Sequence, residues 1–118
     1  MAAVRFRFRP MPTWTGPSTP PDRRRSRGSF RAGYSTTLGQ LAHEIDLLGA
    51  TEAVIEAGFR LEDIRLDGLP RANARPPSHP GIRVSFESKH GPLAYATDSH
   101  EAWQHNLRAI ALRRCAAP

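Results

Sequence analysis

Val4, Phe6 and Phe8 alternate with Arg5, Arg7 and Arg9, the two-residue period of a strand buried on one side. Pro10 closes it. Residues 10–29 then carry five prolines (10, 12, 17, 20, 21) and the run Asp22-Arg-Arg-Arg-Ser-Arg-Gly28. Proline density and like charge of this order exclude a central strand and predict no helix at all, only an arm or long loop. From Ser35 the period changes: Leu38, Leu41, Ile45 and Leu48 share one helical face, Thr37 and Gln40 have the spacing of a capping box, and Gly49 suits the left-handed stop. Residues 53–59 read as a strand with Ile55, Ala57 and Phe59 inward. The segment 60–81, with Pro70, Pro76, Pro77 and Pro80, is irregular apart from a single helical turn near Leu61 to Leu66.

Ile82, Val84 and Phe86 mark the clearest strand, over 82–88. Lys89-His-Gly-Pro92 is turn chemistry, and Leu93 to Thr97 returns as the hairpin partner. Asp98 with Glu101 opens a second helix whose buried stripe is Trp103, Leu107, Ile110 and Ala111, with Arg113 and Arg114 at its favourable C-terminal end. The order β-α-β-β-β-α predicts an α+β two-layer sandwich, two helices on one face of a mostly antiparallel sheet. Its parts are a first strand over 1–9, an arm over 10–34, an α+β core over 35–114 that completes one domain, and a tail over 115–118. The expected core is Phe6, Phe8, Leu41, Ile45, Ile55, Phe59, Val84, Phe86, Tyr95, Trp103, Leu107 and Ile110.

Charge changes this picture more than composition does. Residues 1–35 hold eight arginines against Asp22 alone, a balance of 8 − 1 = +7, and residues 36–118 hold nine basic and ten acidic residues, 9 − 10 = −1. The whole net charge of +6 therefore comes from the N-terminal third, the distribution of a chain that attracts polyanions. Sixteen of the 17 basic residues are arginine, which suits bidentate phosphate contact and equally reflects a GC-rich genome. No apolar run approaches the roughly 20 residues that span a bilayer, and the start Met1-Ala-Ala-Val-Arg-Phe-Arg is no signal peptide. Cys115 is the single cysteine, so disulfide scaffolds and cysteine-based zinc sites are excluded. A cytoplasmic protein with no membrane partner is expected.

The candidate chemistry follows the charge. Arg23, Arg24, Arg25 and Arg27 form a phosphate-binding cluster on the arm, flanked by Trp14 and Phe30, whose rings suit stacking on unpaired bases. Removing the four arginines is expected to leave the melting temperature unchanged. Arg5, Arg7 and Arg9 make a second row at roughly 6.6–6.8 Å spacing, unless Glu56 and Glu87 pair with them across strands. Arg71, Asn73 and Arg75 alternate on a proline-bounded loop suited to recognition, or to packing over the sheet. The five histidines form no metal constellation: His100 and His105 miss the i,i+4 helical spacing. Asp98, Ser99 and His100 are neighbours in sequence, whereas a catalytic triad requires convergence in space. With no phosphate loop, His-Glu-x-x-His or Gly-x-Ser-x-Gly motif, neither an enzyme nor a cofactor is expected. After the first strand the order also matches the double-stranded RNA-binding domain, but the last helix opens with Asp98 and Glu101 where that domain is basic.

The strings Leu66-Asp-Gly-Leu-Pro-Arg-Ala-Asn-Ala-Arg-Pro76, His79-Pro-Gly81, His90-Gly-Pro-Leu-Ala-Tyr-Ala-Thr-Asp98 and Trp103-Gln-His-Asn-Leu-Arg-Ala-Ile-Ala-Leu112 occur in that order. Together they resemble small actinobacterial and actinophage proteins known as hypothetical or J-domain-containing (DnaJ-like). In longer members the resemblance implies a C-terminal J domain, whose His-Pro-Asp loop stimulates a heat-shock ATPase. Here His79-Pro80 is followed by Gly81 and the chain ends at Pro118, so the resemblance implies the N-terminal region and a mobile-DNA setting, without co-chaperone activity. The resulting expectation is a non-catalytic accessory protein of a phage or mobile element, binding nucleic acid or a nucleoprotein complex through its arginine arm. The alternative is a protein-interaction module, an inhibitor or adaptor of the anti-CRISPR kind, acting on a host or defence protein.

Overall fold

The structure is a computed structural model that describes residues 4–11, 13–16, 18–24 and 34–112. Among them β1 (Arg5–Pro10), α1 (Tyr34–Leu47), β2 (Glu52–Ala57), β3 (Ile82–Ser88), β4 (Gly91–Thr97) and α2 (Trp103–Leu112) follow in the order β-α-β-β-β-α. The strands form one sheet in the order β1-β2-β3-β4, with β1 parallel to β2 and the other pairs antiparallel. Both helices cover one face. Leu41 and Ile45 of α1, Leu48 just beyond its end, and Leu107, Ile110 and Ala111 of α2 pack with Phe8, Ala53, Ile55, Ala57, Ile82, Val84 and Phe86 in a single core. This is the α+β sandwich expected from the sequence. Phe8, Phe59 and Trp103 meet edge to face, at centroid distances of 6.2, 6.0 and 5.2 Å, and join β1, the segment after β2 and α2.

Local chemistry explains the element ends. Gly49, at φ +80°, stops α1: its N–H reaches Asp46 C=O and the Ala50 N–H reaches Ile45 C=O, the paired bonds of a Schellman end. Lys89 and His90 form a two-residue turn, and Gly91 at φ +104° opens β4.

Several expectations are corrected. Thr37 is buried within α1, which starts at Tyr34, so it caps nothing. Asp98 does not open α2, which begins five residues later, because its carboxylate is engaged elsewhere. β4 begins at Gly91 and so includes Pro92, tolerated because β4 is an edge strand. A three-residue 3-10 turn, Pro21–Arg23, occupies the arm that was expected to hold no helix, with proline at its start where a missing N–H costs nothing. Leu61–Asp63 forms the other short turn. Phe6, Tyr95 and Trp103 are half-buried rather than fully interior, while Met11, Leu48 and Ile82 join the interior. No described helix is long and apolar enough to cross a membrane.

Candidate nucleic-acid interface

The face of the sheet opposite the helices is open. Arg5, Arg7 and Arg9 project from β1 at alternate, exposed positions, because Phe6 and Phe8 take the core side. In the ladder Arg5 lies beside Glu52, Arg7 beside Val54 and Arg9 beside Glu56. Glu56 makes its ion pair with Arg83, at 3.7 Å, and Glu87 stands on β3 opposite Pro92. The expected pairing of the arginine row with Glu56 and Glu87 is therefore absent among the described residues. Glu52 and Asp67 border Arg5 and Arg7 in a small pocket of about 80 Å³, and Asp67 itself holds Arg65 at 2.9 Å. Further along the open face, Val54, Ser85 and Ala94 floor a groove of about 560 Å³ rimmed by Glu52, Arg83 and Glu87.

The arm is docked rather than free along its described length. The Met11 N–H bonds to Ala57 C=O, extending β1 as the side chain enters the interior. Trp14 stacks on His79 at 5.2 Å and lies so close over Gly81 that a Cβ there would collide with the indole. The Thr19 N–H points at both carboxylate oxygens of Asp98, at 3.0 and 3.1 Å. Arg24 completes the clasp: its Nη2 donates to Asp98 Oδ2 at 3.1 Å and lies 3.1 Å from His79 Nε2. The Asp98 side chain is 1% exposed and that of Arg24 13%. Burial alone would raise the Asp98 pKa, but the Thr19 amide and the Arg24 guanidinium outweigh it and hold the carboxyl below its ordinary range. His79 is pushed the other way for a base, its pKa lowered by burial first and the Arg24 charge second, against an opposing pull from Asp98. The Gly81 N–H points at Nδ1 at 3.0 Å and Arg24 Nη2 faces Nε2, and the neutral ring accepts from one of these two donors at a time.

Beside the clasp, Ser99 Oγ lies 3.1 Å from Nδ1 of the buried His100. Asp98 faces Arg24 and not His100, so the three neighbours build no triad. Asn106, fully buried, accepts the His100 N–H through Oδ1 and donates from Nδ2 to His100 C=O and Pro80 C=O. It thereby locks the start of α2 to the strand-entry loop. Among the described residues no group of three or more histidine, cysteine or acidic side chains could hold a metal ion.

The proposed site residues are thus distributed as follows. Arg5, Arg7, Arg9 and Arg23 are exposed, whereas Arg24 is consumed in the clasp and Trp14 is stacked on protein. Arg25, Arg27, Phe30, Arg113 and Arg114 lie outside the described residues. Arg71 Nε donates to Glu62 C=O, and Arg75 bridges Asp63 at 3.1 Å and Glu62 at 3.3 Å. The hydrogen bond that Arg75 donates to Asp63, followed by the charges of Asp63 and Glu62, raises the Arg75 pKa against burial. These two arginines brace their own loop, leaving Asn73 exposed. The clasp residues Thr19, His79 and Asp98, and the Asn106 lock, carried no signal in the sequence beyond their polarity.

Protein-family models, curated proteins and solved structures all lack a match to this chain.

Proposed function

We propose that this protein is a non-catalytic, cytoplasmic accessory protein of a phage or other mobile element, and that it holds nucleic acid or a nucleoprotein complex on its basic N-terminal third. The observation that carries the reading is the row Arg5, Arg7 and Arg9: exposed side chains on one strand face, without an ion pair among the described residues. Arg23 is a further exposed cation, on the short turn of the arm, and residues 25 and 27 add two more arginines in sequence. Each guanidinium that meets a phosphate releases condensed counterions, so affinity falls steeply with salt. Such contacts follow the backbone and read no base edges, which makes the expected sequence preference weak. Arg24 and Trp14 leave this set, because the clasp occupies them.

The test is fluorescence anisotropy with labelled single- and double-stranded DNA and RNA across a salt series. The triple substitution Arg5→Gln, Arg7→Gln and Arg9→Gln should weaken binding, with the logarithmic salt slope falling by about 0.7–0.9 for each phosphate that is no longer neutralised. A wild-type chain without salt-sensitive binding at about 50 mM salt, where screening is weakest, would sink the reading. That outcome would favour the second reading, an inhibitor or adaptor that engages a host or defence protein, which the open-face groove supports.

A further inference from the structure

The loop that carries Arg71, Asn73 and Arg75 forms one side of a second cavity, which the proposed function does not use. The cavity has a volume of about 410 Å³ and lies where β1 and β2 end, within the roughly 300–1,000 Å³ of small-molecule sites. Its walls divide by chemistry. Pro10, Phe59 and Pro76 supply apolar ring surface, and Arg60, Arg75 and Ser78 supply polar groups beside them. The polar side is preformed. Arg75 is braced through Nε on Asp63 and through Nη2 on Glu62, on a segment that Pro76 and Pro77 stiffen. The loop closes on the strand end because residue 58 is glycine. The Ser78 N–H donates to Gly58 C=O at 3.1 Å, and a Cβ on Gly58 would meet Ser78 Oγ and the His79 amide. Arg60 differs from Arg75: it is exposed and has no ion pair among the described residues, because the two neighbouring acids are engaged by Arg75.

We infer that this cavity takes a nucleoside monophosphate, its base against Pro10, Phe59 and Pro76 and its phosphate on Arg60 and Arg75. Ring surface alone would accept any flat apolar group, and a guanidinium alone any anion. Their adjacency selects a ligand that joins a flat ring to an anion. A phosphate suits the polar side better than a carboxylate, because its three acceptor oxygens match three donor side chains, Arg60, Arg75 and Ser78. Guanidinium to phosphate is a charge-assisted bond of the stronger class. Pro10 follows Arg9 directly, so the cavity lies at the end of the arginine row. The ligand therefore has two sources: a free mononucleotide, or the last nucleotide of a strand that lies along β1. Only the second source rests on the proposed function.

Amide chemical shifts of the full chain, followed at constant ionic strength while adenosine monophosphate is added, test the site. Gly58, Phe59, Arg60 and Ser78 should move and saturate. Adenosine and inorganic phosphate, each with half of the contacts, should bind at least tenfold more weakly. Arg60→Gln alters an exposed side chain outside the ion pairs; it should weaken adenosine monophosphate at least tenfold and leave adenosine unaffected. A short single strand with a terminal phosphate, compared by anisotropy with the same sequence closed into a circle, separates the sources. Tighter binding of the open strand, lost in Arg60→Gln, identifies a strand end. Equal binding of the two, beside saturable adenosine monophosphate, identifies the free nucleotide. The circle engages the arginine row alone, so a circle that fails to bind refutes the proposed function and leaves the cavity to the free nucleotide. Shifts unmoved by adenosine monophosphate, adenosine that binds as tightly as its phosphate, or an Arg60→Gln chain that binds like the wild type would overturn the inference.

Discussion

Asn106 shows how much one polar side chain can hold when it is fully enclosed. Its three bonds satisfy the N–H and C=O of His100 and the C=O of Pro80. Asn106→Ala would strand all three groups, each at a desolvation cost of about 1–3 kcal/mol where no water replaces the amide. The variant should lose about 2–3 kcal/mol of stability in urea unfolding, with the slope m unchanged. A loss below about 0.5 kcal/mol, the level of an ordinary surface change, would mean the lock is unimportant. Nothing in a linear sequence distinguishes this asparagine from a solvated one on a helix. Asp98 was misleading for a related reason. Its spacing to Glu101 imitates a capping box, but its partners, Thr19 and Arg24, lie 79 and 74 positions away. The same contact corrects the expectation about the arm. Removing Arg24 with its neighbours leaves a buried carboxylate short of its cation, and breaking such a pair is destabilising, so the fourfold substitution should lower the melting temperature.

Elements whose hydrophobic period is set by one buried face were legible. β1, β3 and the stripes of both helices follow directly from Phe6 and Phe8, from Ile82, Val84 and Phe86, and from Leu41, Ile45, Leu107 and Ile110. Gly49 was legible too, because few residues adopt the left-handed conformation without strain. Helix starts were not, since Thr37 and Asp98 satisfy a local pattern that tertiary contacts override. The path of the arm was hidden altogether: periodicity reports burial of regular elements, and the arm is bound by a carboxylate, an indole and backbone amides instead. The aromatic meeting point of Phe8, Phe59 and Trp103 makes β1 a structural strand as well as a basic one. Phe8→Ala should cost about 3–5 kcal/mol, lowering the urea midpoint, whereas Arg7→Gln on the opposite face should change it by no more than about 0.5 kcal/mol. Equal effects from the two would show that β1 is not seated in the core as described.

At the scale of the whole molecule, the N-terminal third supplies the charge and is also strapped to the far end of the sheet by a titratable clasp. The consequence is an acid-sensitive fold. The His79 pKa is lowered from its ordinary 6.5, so the unfolded chain takes up its proton first, and stability falls as pH drops below about 6.5. The Asp98 pKa is lowered from its ordinary 3.8. Its contribution is present above that value and is lost as pH falls through the lower folded pKa, once protonation removes the charge that holds Arg24. Both groups act in the same direction, in successive windows. Protonated His79 would set a positive charge beside Arg24 and a donor against the Gly81 N–H, while Asp98 at 3.9 Å compensates only in part. The melting temperature at constant ionic strength should therefore decline between pH 7 and 5, and decline again below pH 4. His79→Gln should flatten the first step and leave the second, and Asp98→Asn should lower stability at pH 7 while flattening the second. The histidine variant also separates the clasp from the buried His100, which remains in both proteins. A wild-type melting temperature that is level from pH 7 to 5, or one that declines equally in the His79→Gln chain, would show that the clasp does not couple the arm to the fold.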